Sequence, residues 1–557
     1  MNSSRLRVFS CGLGLLFGSP LFGAEKLSQA DVELLLARGV AAATREGLHA
    51  TVVVTDREAN VLGAVAMLSA PKETRIAGER GRGLQGLSVP SLFAAISKAG
   101  TASFFATSGN AFTPRTAGFI VQQHFPPSVE RQPGGPLFGV QFSSLPCTDV
   151  TVPLGAAGGY LPLGLSADPG AVPLYKNGEP VGGIGIEGDG AYTFDPSPLA
   201  AEEDRPLWPE ERAAVTAAEP FAAPKEIRAN EILVNGIRLP FTDVESLPDV
   251  SPSGAPGSIQ QIVPPHDPPP SRFAPRTLGG VSGFVLVEPD GKERFPIRAS
   301  ASAQGLTADD VQKILSQGAV ASAKTRAAIR RPIGSASQVS VAVVDVDGTI
   351  LGLFRTQDAP IFGVDVSAQK ARTAAFFTSP GAGAALNAGH LEGYVTAAAR
   401  DGVRLDGSVA FTDRGNGFLS RPFFPDGIDG TEHGPFSKPI AEWSPFNVGL
   451  QLDLIQPELE RLVDVFLKTG TIDNSRACSA VPGTSNGIQI FAGSLPLFKN
   501  GAFVGAVGVS GDGIDQDDWI ASSASLGFAT PPDRRCDRLF VRGVRLPWQK
   551  YPRHPNL

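Results

Sequence analysis

The chain has 557 residues, 42% hydrophobic and 18% charged, with 64 Gly and 48 Pro, a composition of globular domains rich in turns rather than of a disordered chain or a helical bundle. Its net charge of −7, with no Lys/Arg-rich run, argues against nucleic acid as a partner, because sequence-independent binding depends on neutralising phosphates. In chain order, Arg5 and Arg7, the mostly apolar stretch Val8 to Phe17, and the small pair Gly23 and Ala24 read as an export signal over residues 1–24. The mature protein is then expected to be periplasmic or secreted. No other segment offers the roughly 20 apolar residues of a membrane span.

Beyond that leader the sequence says its main thing twice. Leu27, Ser28, Asp31, Val32, Leu35 and Leu36, then Val52, Val54, Asp56, Leu62 and Gly63, return as Leu306, Thr307, Asp310, Val311, Ile314 and Leu315, then Val341, Val343, Asp345, Leu351 and Gly352. The order is kept, so two homologous units, 25–250 and 306–557, share one polypeptide, and a motif found in one copy alone is discounted. Each unit opens with a capped amphipathic helix, Ser28 with Asp31 and Thr307 with Asp310. Hairpins follow: Thr51 to Asp56 with Val61 to Met67, and Ser340 to Asp345 with Ile350 to Phe354.

A helix carrying Lys98, Ala99, Thr101, Ala102, Phe104 and Phe105 recurs with Lys370, Ala371, Thr373, Ala374, Phe376 and Phe377. The offset between copies then grows from 272 at Lys98/Lys370 to 299 at Thr113/Thr412, an insertion of 27 residues that includes the helical-looking Leu391 to Arg400. After it, a long Gly/Pro-rich loop keeps register, from Phe112, Thr113 and Arg115 to Gly135 and Pro136, and from Phe411, Thr412 and Arg414 to Gly434 and Pro435. A loop preserved through duplication either forms a site or serves packing. Lys176-Asn177-Gly178 and Lys499-Asn500-Gly501 turn the last hairpins, and Gly236, Arg238, Leu239 and Pro240 recur as Gly543, Arg545, Leu546 and Pro547. The Pro-rich stretch 251–280 reads as an extended spacer, and 281–305 as a bridging hairpin turning at Asp290-Gly291.

Chemical motifs fare poorly against the repeat. Asp345, Val346, Asp347, Gly348 and Thr349 resemble the nucleophile motif of haloacid-dehalogenase-type phosphatases, yet unit one has Asp56, Arg57 and Glu58 there, and a hairpin turn explains both. Gly183, Gly185 and Gly188 spell GxGxxG after a hairpin, without the strand–turn–helix a dinucleotide needs. Gly483, Ser485 and Gly487 spell GxSxG without an elbow, and Pro162 stands opposite Ser485. No metal site is expected. His124 and His433, in the long loop, are the candidate haem axial ligands, but Phe423 faces the first and Gly134 the second, so neither is duplicated. Beyond Cys11 in the leader, Cys147, Cys478 and Cys536 leave two readings: a Cys478–Cys536 bridge with one thiol, or three free thiols.

The ordered set of capped helix, Val-Val-x-Asp strand, Leu-Gly strand, Lys-Ala-x-Thr-Ala helix, Pro-Leu, Asn-Gly and Val-Gly-x-x-Gly-Val-Ser-Gly resembles the HbpS/GlcG (haem-degrading-like) family, in tandem. Unit two carries the resemblance in Asp345, Gly352, Lys370, Thr373, Gly505, Gly508, Gly511, Gln516 and Asp517; unit one departs after Gly188, where Tyr192 to Pro198 replace an acidic helix start. The resemblance implies an α+β fold, each unit an antiparallel sheet flanked by helices in a profilin-like sandwich, with homo-oligomerisation a candidate state. It implies haem or a related tetrapyrrole as ligand and cofactor, in haem handling or redox sensing. Arg115 and Arg414, then Lys98 and Lys370, are candidates for its carboxylates or, equally, for loop-pinning ion pairs. Thr101 and Thr373 either cap, pack or contact ligand. The alternative is an enzyme or accessory protein acting on a small organic acid without a metal, and the sequence leaves catalysis open.

Overall fold

A computed structural model describes residues 25–78, 81–151, 159–199, 207–244, 247–251 and 259–557. The leader 1–24, with Cys11, and the first part of the Pro-rich stretch lie outside the described residues.

Unit one is built on α1 (Gln29–Arg45), β1 (Thr51–Asp56), β2 (Val61–Met67), α2 (Ser91–Phe104), α3 (Pro114–Ile120), β3 (Ala171–Lys176), β4 (Glu179–Glu187) and α4 (Pro209–Ala217). A strand from the Pro-rich stretch, β5 (Ile259–Val263), adds to its edge, so the antiparallel sheet runs β5-β2-β1-β4-β3. Unit two contains β6 (Phe273–Leu278), β7 (Val281–Leu286), α5 (Ala308–Lys324), β8 (Val339–Val344), β9 (Ile350–Thr356), α6 (Gly363–Thr378), α7 (Ala382–Ala388), α8 (Glu392–Arg400), α9 (Asp413–Phe418), α10 (Gln456–Thr469), β10 (Ser494–Lys499), β11 (Ala502–Gly511) and α11 (Ile514–Ala524). Its sheet runs β6-β7-β9-β8-β11-β10. The shared core, β2-β1-β4-β3 against β9-β8-β11-β10, has one topology, and even the bulges coincide: Val54/Thr55 with Val343/Val344, and Leu174/Tyr175 with Leu497/Phe498. Each unit is thus an antiparallel sheet flanked by helices, as the sequence pattern implied.

Local chemistry explains the elements. Ser28 and Asp31, and Thr307 and Asp310, close reciprocal capping boxes on α1 and α5. Asp345 sits in the β8–β9 turn, accepting from Ala301 and Val346 backbone N–H groups, while Asp56 accepts from Glu58 and Asn60; both acids stitch turns. The GxGxxG glycines serve packing, since a Cβ at Gly183 or Gly185 would collide with the Ala99 or Ala95 carbonyl of α2, as one at Gly508 would with Ser367 of α6. Gly483 and Gly487 lie at φ of +83° and +85° in consecutive turns, not at an elbow.

The connection between the units departs from expectation. The Pro-rich stretch is not a free spacer: β5 pairs with β2, and His266 N–H donates to the Leu62 carbonyl. The main hairpin turns at Gly279-Gly280, both at positive φ, because that pair supplies the primed turn that strand twist favours; Asp290-Gly291 closes only a short turn through the Val287–Glu293 bridge.

The two cores run together. Phe105 meets Phe362 at 4.7 Å, Phe93 meets Phe466 at 4.4 Å, and Phe138 stacks on Trp443 at 5.0 Å. His124 stacks on Phe423, its counterpart in the other copy, at 5.8 Å and 8°, so the long loops face one another across an approximate two-fold relation. The disulfide is Cys147–Cys478, joining unit to unit, so neither open reading, a Cys478–Cys536 bridge or three free thiols, holds; Cys536 is a buried free thiol pushed up to about 12 by burial. Sequence proximity within one unit drew attention to Cys536, but the segment after the long loop carries Cys147 across the interface. No helix among the described residues is long and apolar enough to cross a membrane.

Candidate functional site

The duplicated charges form the scaffold of the site. In unit two, consecutive acids at the start of α11 divide the work: Asp517 receives Lys370 from α6 at 2.9 Å, and Asp518 receives Arg414 from the long loop. Unit one repeats the device. Its acidic helix is α4, delayed in the chain, where Glu210 holds Lys98 and Glu211 holds Arg115 at 2.9 Å. The departure after Gly188 is therefore an insertion ahead of the acidic helix, not its loss.

Lys98 lies fully buried among Asp168 and Glu187, both 2.8 Å away, and Glu210. These three carboxylates are a metal-like cluster with oxygens within 4.8 Å of one another, but the ammonium itself is the cation between them. Burial alone would lower the Lys98 pKa; Asp168, Glu187 and Glu210 hold it well above the ordinary value. Burial, reinforced by the Glu187 charge and opposed by Lys98, raises Glu210 to about 8, and burial likewise raises Asp168. In unit two, Phe491 and Ser510 stand where Asp168 and Glu187 stand in unit one; Lys370 is 4.6 Å from the Phe491 ring centroid, and burial raises Asp517 to about 7 against the pull of Lys370.

The threonines pin loops to helices. Thr101 Oγ1 donates to the Ser97 carbonyl at 2.6 Å and accepts from Ser166 N–H at 2.7 Å; Thr373 donates to Gln369 at 2.8 Å and accepts from Gln489 N–H at 2.9 Å. His124 is engaged at both nitrogens, with the Gln132 carbonyl at 2.7 Å and Asp429 at 2.9 Å. His433 bonds through Nδ1 to the Gly434 carbonyl at 2.8 Å.

Of the candidate ligand-binding and axial residues named from sequence, the structure brings only Arg414 to a pocket of about 510 Å³ between the units. Arg115 is buried, paired to Asp195 and Glu211, with the Trp208 ring 5.4 Å from its guanidinium. The cavity floor is aromatic and aliphatic: Phe105, Phe112 and Phe125 from unit one, Phe362, Ile329 and Ile514 from unit two. Its polar end carries Arg414, Arg421 and Lys550 against Asp426 and Asp515. Arg414 is 2.8 Å from Asp515, and Lys550 is 2.9 Å from the same carboxylate.

Arg421 is the candidate-site residue that sequence reasoning missed. Its side chain is 11% exposed, its Nε lies 3.7 Å from Asp426, and its Nη1 is buried with no hydrogen-bond acceptor among the described residues. Burial, with Arg414 nearby, pushes its pKa below the usual guanidinium range, opposed by Asp426. The Phe138 ring, 4.4 Å from the guanidinium, backs it. At an offset of 299 its counterpart is Gln122, so the preference for duplicated positions worked against it; a lone Arg in the retained loop was the available signal. Among the lining residues described, none is His, Cys, Met or Tyr.

The fold and this site define a duplicated antiparallel-sheet protein with a cavity built jointly by its two units. A family model described as "Haem degrading protein HbpS-like" matches residues 464–525, which span the end of α10, β10, β11 and α11. The match lies in unit two, in the stretch that also carries the Val-Gly-x-x-Gly-Val-Ser-Gly part of the motif resemblance. Among solved structures it is similar to the Klebsiella pneumoniae protein ORFY, a DUF336 family-model structure, at 17% identity, covering 41% of this chain and 94% of that one, with a TM-score of 0.21. A second is the PduOC:Heme complex, at 14% identity, covering 41% and 97%, with a TM-score of 0.19. No curated protein matches the chain. The fold assignment rests on the strand order and registers of the chain itself.

Proposed function

We propose that this protein binds haem or a related carboxylate-bearing tetrapyrrole in the cavity between its units. The observation that carries the reading is one pocket with an aromatic floor and three cations at one end, in the size range of roughly 300–1,000 Å³ usual for small-molecule sites. The flat apolar body of a porphyrin suits Phe105, Phe112 and Phe362, and its propionates suit Arg414, Arg421 and Lys550. The HbpS-like match supports the same ligand class. Bound haem would supply redox-active iron, but the lining offers no usual axial side chain, so the residues present fit the porphyrin rather than the metal.

An oxidising compartment is the natural setting. The leader-like N-terminus and the Cys147–Cys478 disulfide both support export to the periplasm or beyond, and with it a role in haem handling or redox sensing. The test is a titration of purified mature protein with haem, followed by Soret absorbance and quenching of the four tryptophans. Saturable quenching is expected; a response no greater than that of an unrelated protein would sink the reading.

A further inference from the structure

We infer that the cavity takes one tetrapyrrole-class ligand per chain, recognised through its carboxylates by Arg421 and Arg414, without a side chain ligating any metal at its centre. This rests on the proposed function and adds to it a recognition residue, a stoichiometry and an indifference to iron.

The recognition residue follows from hydrogen-bond accounting. A buried guanidinium with an unpaired N–H group carries a desolvation cost that a carboxylate arriving beside it would relieve, and charge-assisted bonds are the strong ones. Arg421 is in that state at the cavity wall, 3.7 Å from its one carboxylate neighbour, Asp426, whose oxygens already accept the Gly134 N–H at 3.1 Å. Burial raises the Asp426 pKa, against the opposing pull of Arg421. Arg414 is shared by Asp515 and Asp518, and Lys550 pairs with Asp515, so Arg421 is the cation of this end whose Nη1 has no acceptor among the described residues.

The stoichiometry follows from the asymmetry of the two copies. The counterpart of Arg421 is Gln122, whose amide is spent on the Gly118 carbonyl at 3.0 Å and the Asp195 carbonyl at 2.9 Å. The counterpart of Arg414 is Arg115, closed off by Asp195, Glu211 and Trp208. Unit one therefore presents no counterpart of the Arg421 guanidinium, and its Arg115 lies behind Trp208 rather than at the cavity. Its contribution is the apolar floor of the single site, which only the fused pair of units completes.

The indifference to iron follows from the lining. Aromatic rings and aliphatic side chains contact a macrocycle whether or not it carries a metal, and the histidines of the long loops are held elsewhere: His124 by Gln132 and Asp429, His433 by Gly434.

The experiment compares haem, metal-free protoporphyrin and protoporphyrin dimethyl ester on the full mature chain, by calorimetry and native mass spectrometry. One equivalent is expected for both free acids, with affinities within about threefold, and weakening of the ester by roughly tenfold to a hundredfold, as for a lost bond to a charged group. Arg421→Gln should weaken both acids about tenfold or more while the thermal midpoint holds or rises, with partial recovery in Arg421→Lys. Haem binding at least tenfold tighter than the metal-free acid, two equivalents per chain, or unchanged affinity in a folded Arg421→Gln variant would each overturn the inference and leave the proposed function standing. Failure of both free acids to bind would overturn both.

Discussion

At the residue scale, the duplicated polar side chains chiefly hold the fold. Thr373 bridges the α6 carbonyl of Gln369 and the N–H of Gln489, so Thr373→Val leaves a buried N–H unpaired. A loss of about 1–3 kcal/mol in denaturant melts is expected, with ligand affinity unchanged. Glu210 sets a pH dependence. Its carboxyl is raised from 4.5 to about 8, by burial first, so the native state keeps a proton that the unfolded chain releases between those values. The stability this provides is complete below about pH 4.5 and is lost as pH rises through 8. Asp517, raised from 3.8 to about 7, acts with the same sign in unit two. Thermal midpoints should fall between pH 5 and 8.5, and Glu210→Gln should flatten that slope; an unchanged slope would contradict the assignment.

At the element scale, close approach between helix and sheet is the repeated motif. Gly508 of β11 faces the Ser367 carbonyl of α6, and Gly185 of β4 faces Ala95 of α2. Gly508→Ala should cost roughly 1–3 kcal/mol through overpacking, and the same change at Gly501, a turn glycine with open space around its Cβ position, should cost only what its φ of +79° imposes. The helices and hairpins were legible because capping residues, Asn-Gly turns and apolar alternation act over a few residues, whereas the bulges were seen only in the strand registers. The acidic helix of unit one was not, because the inserted residues ahead of α4 shifted Glu210 and Glu211 out of the register that aligns Asp517 and Asp518 with the Val-Gly-x-x-Gly strand. The glycines of the GxGxxG run show the converse: a pattern rich in chemical association was determined by backbone contact with a helix.

At the scale of the whole molecule, the units behave as one body because their cores interleave and a disulfide spans 331 residues of sequence between Cys147 and Cys478. Peptide mapping without reductant should recover the Cys147–Cys478 pair, and Cys536 should react with alkylating agents only after unfolding. Cys147→Ser should destabilise by up to about 6 kcal/mol on the chain-entropy model, seen as a lowered thermal midpoint that reductant no longer shifts. The sequence by itself determined the duplication and the capped helices and hairpins, which are written in repeated spacings and local periodicities, and its motifs carried the resemblance that implied the α+β class. Only the tertiary structure decided which cysteines meet, that Lys98, Lys370, Thr101, Thr373 and Arg115 are consumed inside the fold, and that the cavity belongs to neither unit alone. Those facts depend on which surfaces two similar units bury against each other, and residues hundreds of positions apart, such as Phe105 with Phe362 or Gly134 with Asp426, leave no periodic trace of their pairing.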